Sequence, residues 1–459
     1  MAMLLQRVDD PIIAFMTAKT DFEAGLRGVL PLTAGINAAG HLTIGGCDAL
    51  NLARQYGTPL YVFDEADLRA RCQELQQEFA SRLPDVLVLY ASKAYIGKAL
   101  AGLIADEGMG LDVVAAGEIA IARAAEFPME RVYMHGNNKA RFEIEEAVGA
   151  GVGRIVVDNF LDIENIDAVA GAAGRKQAVL LRITPDVDPH THSHITTGVI
   201  DSKFGLPLIA GLAEEALIRA MAAPNLDVLG IHCHIGSQLF ETGPYEQAIQ
   251  KTIGFAAEMT HKHGFRLREF SPGGGIGLQY VRDEAPPPIS DFAETIANAL
   301  KAACRRNGLG VPRVVLEPGR SVVGRAGVAL YSVGARKEIP GVRTYVAVDG
   351  GMADNIRPAI YDARYEAIAA DRPLAPYEEK VTIAGKYCES GDILVRDVEL
   401  PRLQPGEILA IPASGAYCLA MASNYNGALK PPIVFVRDGK SRLVRRRETY
   451  ADLMACEVE

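Results

Sequence analysis

The stretch VLVLYASKAY, Val86 to Tyr95, is a run of strand-formers that closes on a lysine, Lys93. A segment composed to be buried gains nothing from an amine at its end. A buried cation is costly to desolvate unless it is paired, neutral or chemically used. Lys93 therefore either marks the strand end and points into water, or is held there for chemistry, and the rest of the chain decides which.

Seven similar runs follow, alternating with amphipathic helical stretches: LDVVA (111–115), RVYMHG (131–136), RIVVDN (154–159), AVLLRIT (178–184), DVLGIHCHI (227–235), LREFSPGG (267–274) and RVVLEPG (313–319). Eight strands joined by crossover helices close a (β/α)8 TIM-type barrel of roughly 250 residues. The competing architecture, an open doubly wound sheet, would normally carry a glycine fingerprint after its first strand, and none follows Val86 to Ser92. Polar residues fall at or just after the strand ends: Lys93, His135, Asp158, His234, Gly273 to Gly275 and Glu317. In a barrel this face carries the active site, so Lys93 is expected to open into a shared cleft.

Beyond about residue 325 the pattern changes to strands without intervening helices, among them VALYSVGA, RTYVAVDGG, KVTIAGKY, EILAIPAS and PIVFVRDGKSRLVRRR. Asp438-Gly439 between two alternating runs signals a hairpin. The early segment INAAGHLTIGG (36–46) is also strand-like and is expected to complete this all-β sandwich or barrel domain from the N-terminal side. The expected organisation is an N-terminal extension over 1–35, a first segment of the β domain over 36–62, the barrel over 63–325 and the β domain over 326–459. The extension carries no signal that assigns it a role.

Composition narrows the function class. Of the 459 residues 49% are hydrophobic and 23% charged, and the net charge of -10 has no long run of one sign, which argues against nucleic acid or an anionic membrane as the main partner. No segment reaches membrane-spanning length. Seven cysteines at irregular spacings form neither a disulfide framework nor a CxxC zinc pair, so reduced thiols and a cytoplasmic location are expected.

Three motifs then bear on Lys93. SPGGGIG (271–277) places consecutive glycines after a strand, where backbone N–H groups can close around an anion; a flexible turn is the plainer reading. HCHIGSQ (232–238) puts two histidines on one strand, with no third ligand nearby in sequence for zinc. A histidine lying flat on an aromatic ring, with Ser237 donating to a phosphate, fits it better. EPGR (317–320) ends the last strand in a carboxylate, which is either a local ion pair or a partner for a pyridine nitrogen. A lysine, a phosphate cradle and an acid for a ring nitrogen are together what pyridoxal phosphate requires.

From about residue 35 to its C-terminus the chain resembles the barrel-type pyridoxal-phosphate-dependent amino-acid decarboxylases, and within them the diaminopimelate decarboxylases. The resemblance is carried by YASKA (90–94), HGNNK (135–139), HTHSHITTGVIDSKFG (190–205), HCHIGSQ, SPGGGIG, EPGR, IRPAIY (356–361), YCESGD (387–392), GAYCLAMASNYN (415–426) and RRRETYADL (445–453). It implies that Lys93 binds the cofactor covalently, His234 stacks on its ring, and Glu317 faces the ring nitrogen. It further implies that Ser237 and Gly273, Gly274 and Gly275 hold the phosphate, with Tyr417 and Arg320 beside them. Arg320, Arg357 and Tyr361 resemble the contacts to substrate carboxylates, Glu389 the partner of the distal amine, and Cys388 the acid that returns a proton after carbon dioxide leaves. The implied reaction is decarboxylation of meso-diaminopimelate to L-lysine, in a homodimer whose active sites are shared between subunits. No metal is expected.

Physical chemistry supports the substrate assignment. A molecule with two amino-acid ends must be held at its non-reacting end by a cation and an anion, and Arg357 with Glu389 supplies both. Arg357 could otherwise be a surface ion pair, and Cys388 a small apolar filler. The rival enzyme is a relative acting on another amino acid or a carboxylated polyamine. A non-catalytic binding protein on the same fold would be expected to lose Lys93 or Cys388, and an alanine-racemase-like enzyme needs no acid for a distal amine.

Overall fold

The computed structural model describes residues 25–187 and 201–458 and divides the chain into two compact units. Arg69–Leu278 and Pro286–Val322 form one; the described residues up to Leu68, together with Gln279–Ala285 and the chain from Val323 onward, form the other. Gln279–Ala285, expected within the barrel, thus groups with the β unit. The motif over 190–205 lies mostly outside the described residues, as do residues 1–24 of the expected extension.

In the first unit eight parallel strands close on themselves: β1 (Val86–Ala91), β2 (Gly110–Val113), β3 (Val132–Met134), β4 (Arg154–Val157), β5 (Gln177–Thr184), β6 (Leu226–His232), β7 (Glu269–Gly273) and β8 (Arg313–Leu316). Each pairs with its sequence neighbour, and β8 pairs with β1, with Val314 opposite Val86. All eight expected strands are present, most of them shorter by one to three residues where the motif bends out of the sheet. Helices follow the first seven strands; the last, Ile289–Arg306, buries Ile289, Phe292, Ala293, Ile296, Ala297, Leu300 and Ala303, the spacing of one helical face. Leu89, Tyr133, Val156, Leu180, Leu229 and Val315 fill the interior. Towards the N-terminal ends of the strands, Arg154 Nη2 donates to the buried Glu269 Oε1 at 2.6 Å and Tyr133 Oη to Oε2 at 3.1 Å. These ties leave the opposite face for chemistry.

The second unit is built on a sheet in the order Ile393–Leu400, Glu379–Ala384, Arg343–Val348, Gly327–Ile339, Leu60–Asp64, Ile433–Arg437, Lys440–Arg445. The segment over 36–46 joins this unit as expected, packing Leu42 and Ile44 into one core with Leu60 and Val62, but the N-terminal strand that completes the main sheet is Leu60–Asp64. The segment itself folds into a separate three-stranded antiparallel sheet, Gly35–Ile36, Leu42–Ile44 and Cys47–Asp48. The reason is burial: all five residues of LYVFD are buried, as a central strand covered on both faces demands, whereas INAAGHLTIGG is interrupted by a turn at Gly40. The hairpin at Asp438-Gly439 has positive φ at both residues, 51° and 74°, as a type I′ turn requires.

Candidate active site

Lys93 lies in the single turn Ser92–Ala94 that follows β1, exposed between two buried neighbours. After burial itself, its positive charge is the next influence holding His234 well below the usual imidazole range. It also opposes the upward push that burial and Glu317 exert on Asp112. His234 is therefore a neutral ring near the amine, and its Nδ1 accepts from the Gly274 N–H at 3.3 Å.

Glu317 ends β8 almost fully buried. Its Oε1 accepts from Ser271 Oγ at 2.9 Å, and its Oε2 lies 3.0 Å from His232 Nε2. His135, Nε2 3.5 Å from Glu317 Oε1, joins them from the end of β3. Sequence proximity offered the histidines no third ligand; barrel closure brings one ligand-type atom each of His135, His232 and Glu317 within 4.8 Å of one another. Direct hydrogen bonding already occupies the His232–Glu317 pair, whereas the buried His135 Nε2 has no hydrogen-bond partner among the described residues. Arg182, 3.6 Å from Asp158, extends the cluster along β5.

The glycine run is dictated by crowding. A Cβ on Gly274 would sit 2.1 Å from the Glu317 carbonyl oxygen, one on Gly273 2.5 Å from His234 Nδ1, and one on Gly275 2.5 Å from the Gly236 carbonyl oxygen. Gly273 and Gly275 also have φ of 80° and 108°. The Gly273 N–H donates to Ser271 Oγ at 3.1 Å and the Gly274 N–H to His234, which leaves Gly275 as the member of the run whose N–H has no acceptor among the described residues. Arg320 Nη2 donates to Ser237 Oγ at 3.1 Å. A buried acid, a neutral ring, a side-chain-free loop beside a serine and an available amine, all in one unit, fit a phosphorylated pyridine.

Arg357, Tyr361, Cys388, Glu389 and Tyr417 belong to the β unit. Arg357 opens the short helix Arg357–Tyr361 and is 6% exposed. Its Nη1 donates to Tyr365 Oη, and its guanidinium lies 4.5 Å from the Tyr280 ring centroid and 5.5 Å from that of Tyr365. Among the described residues no carboxylate pairs with it. Tyr361 is half-buried at the end of the same helix, and Tyr417 holds a positive φ of 62°. Cys388 and Glu389 are exposed on one loop. Two consecutive residues of the turn Tyr425–Gly427 hold them: Cys388 N–H donates to Asn426 Oδ1 at 3.0 Å, and Tyr425 Oη donates to Glu389 Oε1 at 2.7 Å. The buried Asp392 accepts from Met352 N–H at 2.6 Å and Tyr387 N–H at 2.8 Å, joining this loop to the one that leads into Arg357.

Sequence reasoning did not single out Asp112, Arg182, Ser271, Tyr280, Tyr365, Tyr425 or Asn426. Tyr425 and Asn426 stand inside the motif over 415–426, so motif membership was their available signal. Tyr280 had none, since it precedes a proline-rich loop.

Comparison with known proteins identifies the family. The family model for the pyridoxal-dependent decarboxylases, pyridoxal binding domain, matches residues 65–324. The diaminopimelate decarboxylase of Bacillus subtilis is 47% identical over 422 residues, covering 92% of this chain and 96% of that protein. The crystal structure of diaminopimelate decarboxylase from M. jannaschii in complex with L-lysine is similar at a TM-score of 0.88 and 36% identity, over 93% of this chain and 98% of that one. The enzyme from Helicobacter pylori, also complexed with L-lysine, gives 0.82 and 32%, over 89% and 98%. A barrel whose strand ends gather an amine, a neutral histidine and a buried acid, joined to a β unit with a buried arginine that no described carboxylate pairs with, is thus the framework of a chain that belongs to the pyridoxal-dependent decarboxylases and, within them, to the diaminopimelate decarboxylase family.

Proposed function

We propose that this chain decarboxylates meso-diaminopimelate to L-lysine and carbon dioxide with bound pyridoxal phosphate, the step that completes lysine biosynthesis. The observation that carries the reading is Arg357, a buried cation with no carboxylate partner among the described residues. Proteins keep such charges where an anion meets them. The distal carboxylate of a substrate with two amino-acid ends is such an anion, and Glu389 takes the amine beside it.

When bound, pyridoxal phosphate supplies a conjugated ring that takes up the electron pair left as carbon dioxide departs. Lys93 would hold it through its amine, His234 would lie against the ring face, and Glu317 would face the ring nitrogen. Ser237, Gly273 to Gly275 and Tyr417 would hold its phosphate, with Arg320 steadying Ser237. The N–H directions single out Gly275 within the glycine run. Arg357 and Tyr361 hold the distal carboxylate, while Arg320 serves the reacting end. Cys388 carries a proton on Sγ and delivers it to the α-carbon. Cys388 and Glu389 reach the site from the partner copy, so the working unit is a homodimer. All seven cysteines are free, and no described helix is long and apolar enough to cross a membrane, which supports a cytoplasmic enzyme.

Carbon dioxide release from meso-diaminopimelate, L-ornithine, L-lysine and L-arginine tests the reading. Diaminopimelate should lead by at least about a hundredfold in kcat/KM, the discrimination that paired polar contacts supply. A comparable rate on any of the other three would replace the substrate with that one.

A further inference from the structure

Each oxygen of Glu317 is already met by a protein group, and the two groups differ. Ser271 Oγ donates to Oε1 at 2.9 Å, while His232 Nε2 stands 3.0 Å from Oε2. His232 is 1% exposed, and its Nδ1 has no hydrogen-bond partner among the described residues. That asymmetry assigns the tautomer: a carboxylate needs a donor, so the ring proton belongs on Nε2. A second proton is opposed by burial and then by the charges of Arg182 and Lys93. His135 packs edge-on against the ring at 5.0 Å between centroids, and its Nε2 lies 3.7 Å from Asp112 Oδ1. Burial holds His135 well below the usual imidazole range too.

We infer that His232 is a positioning residue for the cofactor, an imidazole that fixes the Glu317 carboxylate through a single N–H so that its charge stays directed at the ring nitrogen. The inference rests on the reading of Glu317 as the ring-nitrogen partner. An uncharged donor suits this task better than either alternative. A lysine or arginine at the same distance would form an ion pair and weaken the hold of the carboxylate on a ring proton. An apolar side chain would leave one buried oxygen without a donor, a situation that favours the protonated acid and sets it in competition with the ring. His232 supplies the hydrogen bond without the charge.

The test uses holoenzyme loaded with pyridoxal phosphate carrying nitrogen-15 in the ring, whose NMR shift reports whether that nitrogen is protonated, together with the cofactor dissociation constant. Wild type should be protonated. In His232→Met the protonated fraction should fall and the dissociation constant should rise about tenfold, the usual worth of a hydrogen bond to a charged group. His232→Gln, which offers an N–H from a similar position, should restore both. A protonated ring in Glu317→Gln would overturn the reading of Glu317 and the inference with it. An unprotonated ring in Glu317→Gln alongside unchanged values in His232→Met would overturn the inference alone. Should His232→Met fail to fold, histidine nitrogen spectra of the wild-type holoenzyme near neutral pH decide: a neutral Nε2–H tautomer upholds the role, and an imidazolium or an Nδ1–H tautomer overturns it.

Discussion

Replacing Arg357 with methionine separates binding from structure, because the unbranched side chain keeps most of the packing and removes only the charge. Two effects on stability oppose each other. The guanidinium over the Tyr280 ring at 4.5 Å and its bond to Tyr365 are lost, a cost of about 1–2 kcal/mol. The desolvation of a buried cation without a carboxylate partner is relieved, which offsets a similar amount. Folding should therefore change little, and cofactor absorbance should stay at the wild-type level. Binding has no such offset. A hydrogen bond to a charged group is worth about 1.5–3 kcal/mol, which at 1.4 kcal/mol per tenfold is roughly a 10- to 150-fold loss of kcat/KM for meso-diaminopimelate. L-Lysine, which lacks the distal carboxylate, supplies the control: its slow decarboxylation should be nearly unaffected. An equal loss on both substrates, or cofactor content falling in step with activity, would mean that Arg357 supports the fold and would remove the basis for the substrate assignment.

Other measurements probe the remaining residues. Cys388→Ser should lower kcat by about a hundredfold or more with KM nearly unchanged, the usual worth of a positioned acid; an effect confined to KM would take Cys388 out of proton delivery. Lys93→Ala and Cys388→Ala proteins, each nearly inactive, should recover about one quarter of wild-type activity after subunit exchange, since about half of the dimers are mixed and each of those has one intact site. No recovery despite exchange would place both residues of one chain in one site. Tyr425→Phe removes the 2.7 Å bond to Glu389 Oε1 and should raise KM for meso-diaminopimelate about 2- to 10-fold, whereas an unchanged KM would leave Glu389 positioned without it. Burial pushes Asp354 up to about 6, against the hydrogen bonds from Tyr331, Gly351 and Tyr61. A carboxyl raised on folding stabilises fully below its unfolded value, near 3.8, and loses that contribution as the pH climbs through about 6. Melting temperatures of wild type should fall over that interval relative to Asp354→Asn, and parallel profiles would show that Asp354 does not titrate there.

The barrel was legible because its strands are largely buried and most end on a polar residue or a glycine turn, so period and punctuation agreed along most of the chain. Lys93, His234 and Glu317 could be named from strand ends alone. The hydrogen-bond partners of Glu317 could not, because His232 and Ser271 come from two other strands and meet it only when the barrel strands pair. The β unit was harder to read. LYVFD, buried throughout, shows no alternation, so the more regular INAAGHLTIGG was preferred although its Gly40 turn breaks it. Gln279–Ala285 was assigned to the barrel from position in the chain, yet Arg282 is bonded to the buried Glu366 at 3.0 Å, a long-range tie that no local pattern announces. Tyr280, at 3% exposure beneath Arg357, escaped for the same reason.

On the roles proposed for their residues, the two units divide the chemical work as well as the chain. Groups suited to the ring, its nitrogen and its phosphate lie almost entirely in the barrel unit, where closure fixes them through strand pairing and backbone crowding such as the 2.1 Å approach at Gly274. Groups suited to the distal end of the substrate lie in the β unit on loops tied by single side chains, Asp392, Tyr425 and Asn426. A substitution at Gly274 or Glu317 disturbs strand ends that several elements share, so it should cost the cofactor whatever the substrate. A substitution at Glu389 or Tyr425 alters one contact on a loop, and one at Arg357 alters contacts to Tyr280 and Tyr365 within the β unit; each leaves the barrel strands as they were. Changes in substrate choice should therefore be reached through the β unit while cofactor affinity stays constant, and selection of active variants on a substrate without a distal carboxylate should gather its substitutions around Arg357 and Glu389 and spare the strand ends of the barrel.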